Sequence, residues 1–260
     1  MTDKLMVTLQ DGVKRITFNA PERRNAMDIE MVERMRDIVL ETAQDSSRVV
    51  ILTGAGEAFC AGADVKGMLR RDLASQDVTE HLRRLTNPTI LALREMPKPV
   101  IARVHGPAVG LGSSYALACD IRIASTAAQF GQVFSKIGLA PDGGGTYILP
   151  RLIGYPRAFE LMATGELVDA GQALAMGLVN QVVAPAELDA VVDQWAARLR
   201  DGPAVAIAGI KRALLYAETH TLAEALDFEA VTQGVCIRSH DFQEGVRAFV
   251  EKRRPAFQGR

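Results

Sequence analysis

Residues 98–120 read KPVIARVHGPAVGLGSSYALACD, and the fold is decided in this stretch. Pro99 to Val104 is a short apolar run bounded by Pro97, Pro99 and Gly106, the pattern of a strand covered on both faces. Gly106, Gly110 and Gly112 follow, and Ser113 to Ala118 then begins a helix of small residues. Glycines so placed let the backbone turn through positive φ and let a ligand come close to it. The first N–H groups of a helix have no partner within it and carry partial positive charge. Leu111 and Gly112 are therefore candidate donors to an anion or oxyanion. The same glycine spacing also suits a turn with a purely structural role.

Outward from this unit, helix and strand alternate. Met6 to Leu9 and Val13 to Phe18 alternate apolar with polar residues across Asp11-Gly12, a two-residue hairpin signal. After the loop Asn19 to Arg24, Asp28 can cap a helix whose apolar positions Met31, Val32, Met35, Ile38 and Val39 recur at helical spacing. Val49 to Thr53 reads as a buried strand ending in Gly54-Ala-Gly56. The turn Phe59-Cys-Ala-Gly-Ala-Asp64 follows, then a charged segment through Asp77 that is expected to be mobile. A helix is predicted over Val78 to Arg94, with Pro88 kinking or interrupting it.

The second half repeats the unit. Asp120 to Ala124 is a strand, Gln129-Phe-Gly131 a short extended piece, and Gly138 to Gly145 a second glycine-rich turn. Thr146 to Ile153 and Arg157 to Ala163 are predicted helices, Val179 to Val183 a last strand, and Pro185 the start of a helix running to Leu199. From Pro203 onward the pattern is helical. The expected organisation is an α/β core over residues 1–200 followed by an all-helical packing or association region over 201–260.

A chain of 260 residues with 48% hydrophobic content can bury one large core or two modest ones. Its formal net charge of −1 gives no reason to expect nucleic acid or an anionic membrane surface as a main partner. Cys60, Cys119 and Cys236 are widely separated and cannot all pair, which favours a reducing compartment, with cytoplasm the expectation. The N-terminus MTDKLMVTLQ lacks a basic-then-apolar signal, and no stretch approaches the roughly 20 apolar residues of a membrane span.

Several chemistries are set aside. His81, His105, His220 and His240 do not fall at metal-ligand spacings with Cys or carboxylates, so no metal site is expected. There is no P-loop and no G-x-S-x-G elbow, and Gly110-Leu-Gly112 lacks the rest of a dinucleotide fingerprint. The remaining possibility is a chain whose glycine-rich turns present backbone donors.

Four blocks now carry a resemblance: GAGEAFCAGADVKGM (Gly54 to Met68), Lys98 to Ser125, AQFGQVFSKIGLAPDGGGTYILPRLIG (Ala128 to Gly154) and EGVRAFVEKRRPAF (Glu244 to Phe257). In type, order and separation they resemble the crotonase superfamily, the enoyl-CoA hydratase/isomerase family. The resemblance covers nearly the whole chain. It implies a crotonase-like core of repeated β-β-α turns, a C-terminal helical region, and homotrimers often paired as dimers of trimers. It also implies acyl-CoA thioesters as substrates, with no tightly bound cofactor.

The resemblance assigns the two oxyanion donors to the N–H groups of Ala63 and Leu111. Physical chemistry supports such a device, because an enolate needs preorganised donors and losing one typically costs about 3 kcal/mol of barrier. Hydratases of the family carry two glutamates that activate and deliver water; here those positions match Ser114 and Phe134. Serine is a poor general base and phenylalanine cannot transfer a proton.

Asp142, in LAPDGGG, matches the base of the subgroup that includes 3-enoyl-CoA/2-enoyl-CoA isomerases and ring-epoxide isomerases. The same Pro-Asp-Gly sequence would suit a helix cap or turn. Tyr115, Ser114 and His81 are the next candidates for a base. For CoA, the resemblance points to Arg23, Arg24, Ala61, Ala63, Asp64 and Val65, with Gly110 and Gly112 beside the thioester. Phe249 and Lys252 match positions that reach a neighbouring subunit's CoA, although a solvated charge run also explains Arg247 to Arg254. The pocket walls are expected from Leu69 to Arg94 and from subunit packing. Other reactions on the same enolate, such as hydration, thioester hydrolysis or dehalogenation, stay open, as does a non-catalytic acyl-CoA or RNA-binding role that the near-neutral charge disfavours.

Overall fold

Asp11 and Gly12 take φ of 48° and 75° in the computed structural model, which describes residues 3–69 and 77–260. Two successive left-handed residues match the twist of a tight hairpin, and they join β1 (Leu5–Gln10) to β2 (Val13–Phe18) in antiparallel register. Asp28 then caps α1 (Ile29–Gln44) by accepting from Met31 N–H at 2.9 Å, and the helix buries Met31, Val32, Met35, Ile38 and Val39 as its spacing predicts.

β3 (Val49–Gly54) is buried along its whole length. Val50 and Leu52 face a large core beneath α1, while Val49 and Ile51 face a smaller one on the other side of the sheet. This alternation is why the strand reads as an unbroken apolar run. α2 (Val65–Leu69) and α3 (Val78–His81) follow. The charged segment predicted to be mobile lies, over residues 70–76, outside the described residues.

The helix predicted over Val78 to Arg94 is interrupted just ahead of Pro88. α3 leads into a π-helical turn, Leu82–Thr86, and then into α4 (Asn87–Glu95), with Pro88 in the first turn of α4. Asn87 N–H bonds back to the Leu82 carbonyl, and this wider turn makes room for a ring that cannot donate.

The deciding stretch forms β4 (Val100–Val104), β5 (Pro107–Val109) and α5 (Leu111–Ala118), and the same plan recurs in β6 (Ile121–Ser125), β7 (Gln129–Gly131) and, after a 3₁₀ turn at Val133–Ile137, α6 (Gly145–Ile153). α7 (Tyr155–Thr164), β8 (Val168–Asp169), α8 (Ala170–Ala175), β9 (Gln181–Val183) and α9 (Leu188–Arg200) complete the core. β1-β2-β3-β4-β6-β9, in that order, make a six-stranded sheet that is parallel except for β1, and β5-β7-β8 make a second sheet. Each β-β-α turn thus gives one strand to each sheet.

Three expectations need correction. The last strand begins at Gln181 rather than Val179, because the N–H groups of Leu178 and Val179 both turn back to the Ala173 carbonyl. The sequence pattern also misses β5 and β8, which at three and two residues are too short for a period to be read. The chain from 203 is not helical throughout: α10 (Ala204–Ala217), α11 (Leu222–Ile237) and α12 (His240–Val250) are followed by a tail. Buried Asp241 pins that tail, accepting from Gln258 and Gly259 N–H groups at 2.6 and 2.8 Å. Lys211 of α10 ties these helices to the core by donating to the Leu93 and Lys98 carbonyls and to Asp120 Oδ2. Among the described residues no helix is long and apolar enough to cross a membrane.

Candidate active site

β5 joins two turns that are distant in sequence. On one side it pairs with β7; on the other, Cys60 N–H donates to the Pro107 carbonyl at 3.1 Å and Val109 N–H to the Cys60 carbonyl at 2.9 Å. The glycines allow the close approach this requires. A Cβ on Gly112 would lie 2.2 Å from the Cys60 oxygen, and one on Gly62 (φ 91°) would lie 2.8 Å from the Val109 oxygen and 3.3 Å from Leu111 N. AFCAGAD and GLG therefore form one surface.

The N–H groups of Ala63 and Leu111 on that surface have no protein acceptor among the described residues, and neither has that of Gly112, the next residue of α5. Leu111 begins α5, where no carbonyl lies four residues back within the helix. Ala63 is bridged to Met27 through its neighbours, with Met27 N–H donating to Gly62 O at 2.7 Å and Asp64 N–H to Met27 O at 2.9 Å. In a parallel bridge this pattern turns the Ala63 N–H away from Met27.

No motif singles out Asn25, yet it is completely buried and holds this loop in place. Its Nδ2 donates to the carbonyls of Ala55, Ala58 and Phe59 at 2.9, 2.8 and 3.2 Å, and its Oδ1 accepts from Ala20 N–H at 2.9 Å. It does so at φ 59°, a conformation asparagine tolerates better than most residues. Only a residue type that accepts left-handed φ hints at this role in the sequence.

Asp142 reaches the same place from the second glycine turn. Gly143 and Gly144 take φ of 59° and 77°, and a Cβ on Gly143 would lie 3.0 Å from Leu111 Cδ1 and 2.8 Å from Ser114 Cβ. The loop therefore rests on the first turn of α5. Asp142 Oδ1 is buried with no hydrogen-bond partner among the described residues, and burial pushes the carboxyl up to about 6. The carboxylate does not cap α6, whose N-cap is Gly144 with no side-chain bond.

Among the other candidates, Ser114 is fully buried and its hydroxyl donates to the Asp142 carbonyl at 3.0 Å. Phe134 is buried beside Gly110, where a Cβ would lie 3.9 Å from its ring. Tyr115 is removed as a base: it is fully buried against Phe18, and burial drives its phenol far above the usual range. His81 sits half-buried at the end of α3 with no hydrogen bond to Asp142 among the described residues.

On the rim, Arg23 donates to Asp28 at 2.9 Å and lies 3.5 Å from Asp64, whose other oxygen accepts from Gly67 N–H at 3.0 Å. Arg23 thus sits between the carboxylates of Asp28 and Asp64. Arg24 is exposed in a left-handed conformation, with no carboxylate partner among the described residues, and its carbonyl accepts from Ala61 N–H at 2.9 Å. Val65 is 40% exposed, and its N–H donates to the Ala63 carbonyl, which extends the rim toward α2. Phe249, 86% exposed, and Lys252 lie at the end of α12 and are not bonded to any of these groups among the described residues. The described residues contain no cluster of three or more His, Cys, Asp or Glu able to hold a metal.

Known proteins resemble this chain along nearly its whole length. The profile of the enoyl-CoA hydratase/isomerase family matches residues 8–260. A 1,2-epoxyphenylacetyl-CoA isomerase of Escherichia coli is 38% identical over 100% of both chains, and a probable enoyl-CoA hydratase of Rhodobacter capsulatus is 38% identical over 97% of this chain and 96% of that one. The crystal structure of a putative enoyl-CoA hydratase from Streptomyces coelicolor superposes with a TM-score of 0.93 at 35% identity, covering 99% of this chain and 95% of the other.

Proposed function

The chain belongs to the enoyl-CoA hydratase/isomerase family, and on that footing we propose that it isomerises enoyl-CoA thioesters with Asp142 as its single acid/base. The observation that carries this reading is a buried carboxyl oxygen without a partner, next to the helix turn that offers Leu111 N–H. Ala63 and Leu111 would hold the thioester oxygen as charge develops on it. The carboxylate takes the proton from C2 of a 3-enoyl chain, the hole holds the dienolate, and the resulting carboxylic acid returns the proton to C4. One group suffices because the proton is moved, not consumed. An acceptor near 6 is suited to both halves of that cycle at neutral pH.

The epoxyphenylacetyl-CoA isomerase supports an isomerase reading, extended to ring epoxides, while the equally similar relative carries the name of a hydratase. Against hydration stand the residues themselves: the Ser114 hydroxyl is already donated to a carbonyl, and Phe134 has no proton to give. CoA phosphates would meet exposed Arg24, with Arg23 and Asp64 shaping the loop behind it, and no tightly bound cofactor is required.

Asp142→Asn tests the reading. Turnover of 3-enoyl-CoA should fall by about 100- to 10,000-fold with CoA affinity kept, the range that general acid/base catalysis contributes. Parent-like turnover would move the base elsewhere.

Self-association forms part of the proposal. Ile210, Leu214, Phe242, Val246 and Phe249 line a cleft of about 750 Å³ between α10, α11 and α12, and all five are exposed in one chain. A second copy covering that face would explain so much apolar surface and bring Phe249 and Lys252 toward a neighbouring site. Sedimentation velocity should show an oligomer that Leu214→Asp dissociates; a monomeric parent would contradict it.

A further inference from the structure

Building on the assignment of Asp142 as base, we infer that Ser114 is a positioning residue, a strut that fixes the base at a set distance from the oxyanion donor. The inference starts from what the Ser114 hydroxyl touches. It donates to the backbone carbonyl of Asp142 at 3.0 Å, closer than the Gly110 carbonyl of its own helix at 3.4 Å, and does not bond the carboxylate. The Asp142 carbonyl has a second donor, Gly145 N–H at 3.2 Å, so the peptide leaving Asp142 is held from both sides. The carboxylate itself is left without a partner at Oδ1. Fixing the peptide fixes Cα, and with it the arc over which the carboxylate can swing, without occupying any of the lone pairs that must accept a proton.

Packing supports the same reading. Gly143 lies so close to the serine that a Cβ on it would sit 2.8 Å from Ser114 Cβ, and Gly145 presses on the Gln132 amide, whose Nε2 donates to Ser114 Oγ at 3.4 Å. Ser114 and Gln132 are 0% and 2% exposed, so water does not compete for these bonds. Ser114 also stands one helical turn after Leu111 on α5. Donor and strut therefore move as one rigid body, separated by three residues of helix or about 4.5 Å of rise. A larger side chain at 114 would have to displace the glycine loop that carries Asp142.

Ser114→Ala is the appropriate variant, because it removes only the hydroxyl and adds nothing against Gly143. A misplacement of about 1 Å can cost on the order of 100-fold in rate. We expect kcat for 3-enoyl-CoA isomerisation to fall about 10- to 100-fold with KM within about twofold, and the acidic limb of kcat/KM to move to lower pH as the loosened loop admits water. Circular dichroism and the melting temperature check the fold. Asp142→Asn is measured beside it. If Asp142→Asn is inactive while Ser114→Ala keeps the parent kcat, or loses activity with its acidic limb unmoved, the strut is overturned and the base stands. If Asp142→Asn is active, the base is overturned and the strut with it.

Discussion

Asp142, the proposed base, is costly to the fold in the form that the proposed chemistry needs. Its carboxyl is pushed from 3.8 to about 6 by burial, with no counter-charge to offset it. A carboxyl raised in the folded state contributes stability that is complete below about 3.8 and lost as pH rises through about 6. At neutral pH the ionised form should therefore cost the protein about 1–3 kcal/mol. Asp142→Asn, already neutral, is expected to be more stable than the parent by that amount in urea denaturation at pH 7.5, and no more stable at pH 3.5. In the proposed reaction the same ionisation has the opposite benefit, since a base must be unprotonated. In the parent, log kcat/KM should fall with unit slope below a midpoint of about 6. A midpoint near 4, or a destabilised Asp142→Asn protein at pH 7.5, would mean that the carboxyl is solvated and the site is wrongly described.

At the scale of elements, the site consists of three turns held together by α5 and β5. The Leu111 N–H, proposed as an oxyanion donor, has no protein acceptor among the described residues, while its side chain packs under Gly143. Leu111→Ala is expected to keep most of kcat, whereas Leu111→Pro should lower it by about 100- to 1,000-fold because the donor is deleted. Equal loss in both variants, with both folded, would show that the side chain and not the N–H matters. The strand, turn and helix of residues 98–120 were legible because their apolar run and glycines are local signals. So was the helix that Asp28 caps. Asn25 was not, because its partners lie 30 to 34 residues ahead and only the folded chain brings them within reach. The bond from Ser114 to Asp142, across 28 residues, was hidden for the same reason. Pro88 marked a real interruption of the α-helix, but that it takes the form of a π-helical turn has no local signal.

In the molecule as a whole, the repeated β-β-α turn delivers each glycine loop to one rim, and the C-terminal helices leave an apolar face uncovered. Fold and chemistry class follow from the family, while the proposed choice of moving a proton over adding water rests on Ser114, Phe134 and Asp142. The direct test is a product analysis by nuclear magnetic resonance of the parent protein, offered 3-enoyl-CoA and crotonyl-CoA in separate reactions. The account predicts 2-enoyl-CoA from the first and no appreciable 3-hydroxyacyl-CoA from either. Formation of 3-hydroxybutyryl-CoA at an ordinary enzymatic rate of about 10 per second or more, without isomerisation of the 3-enoyl chain, would contradict it.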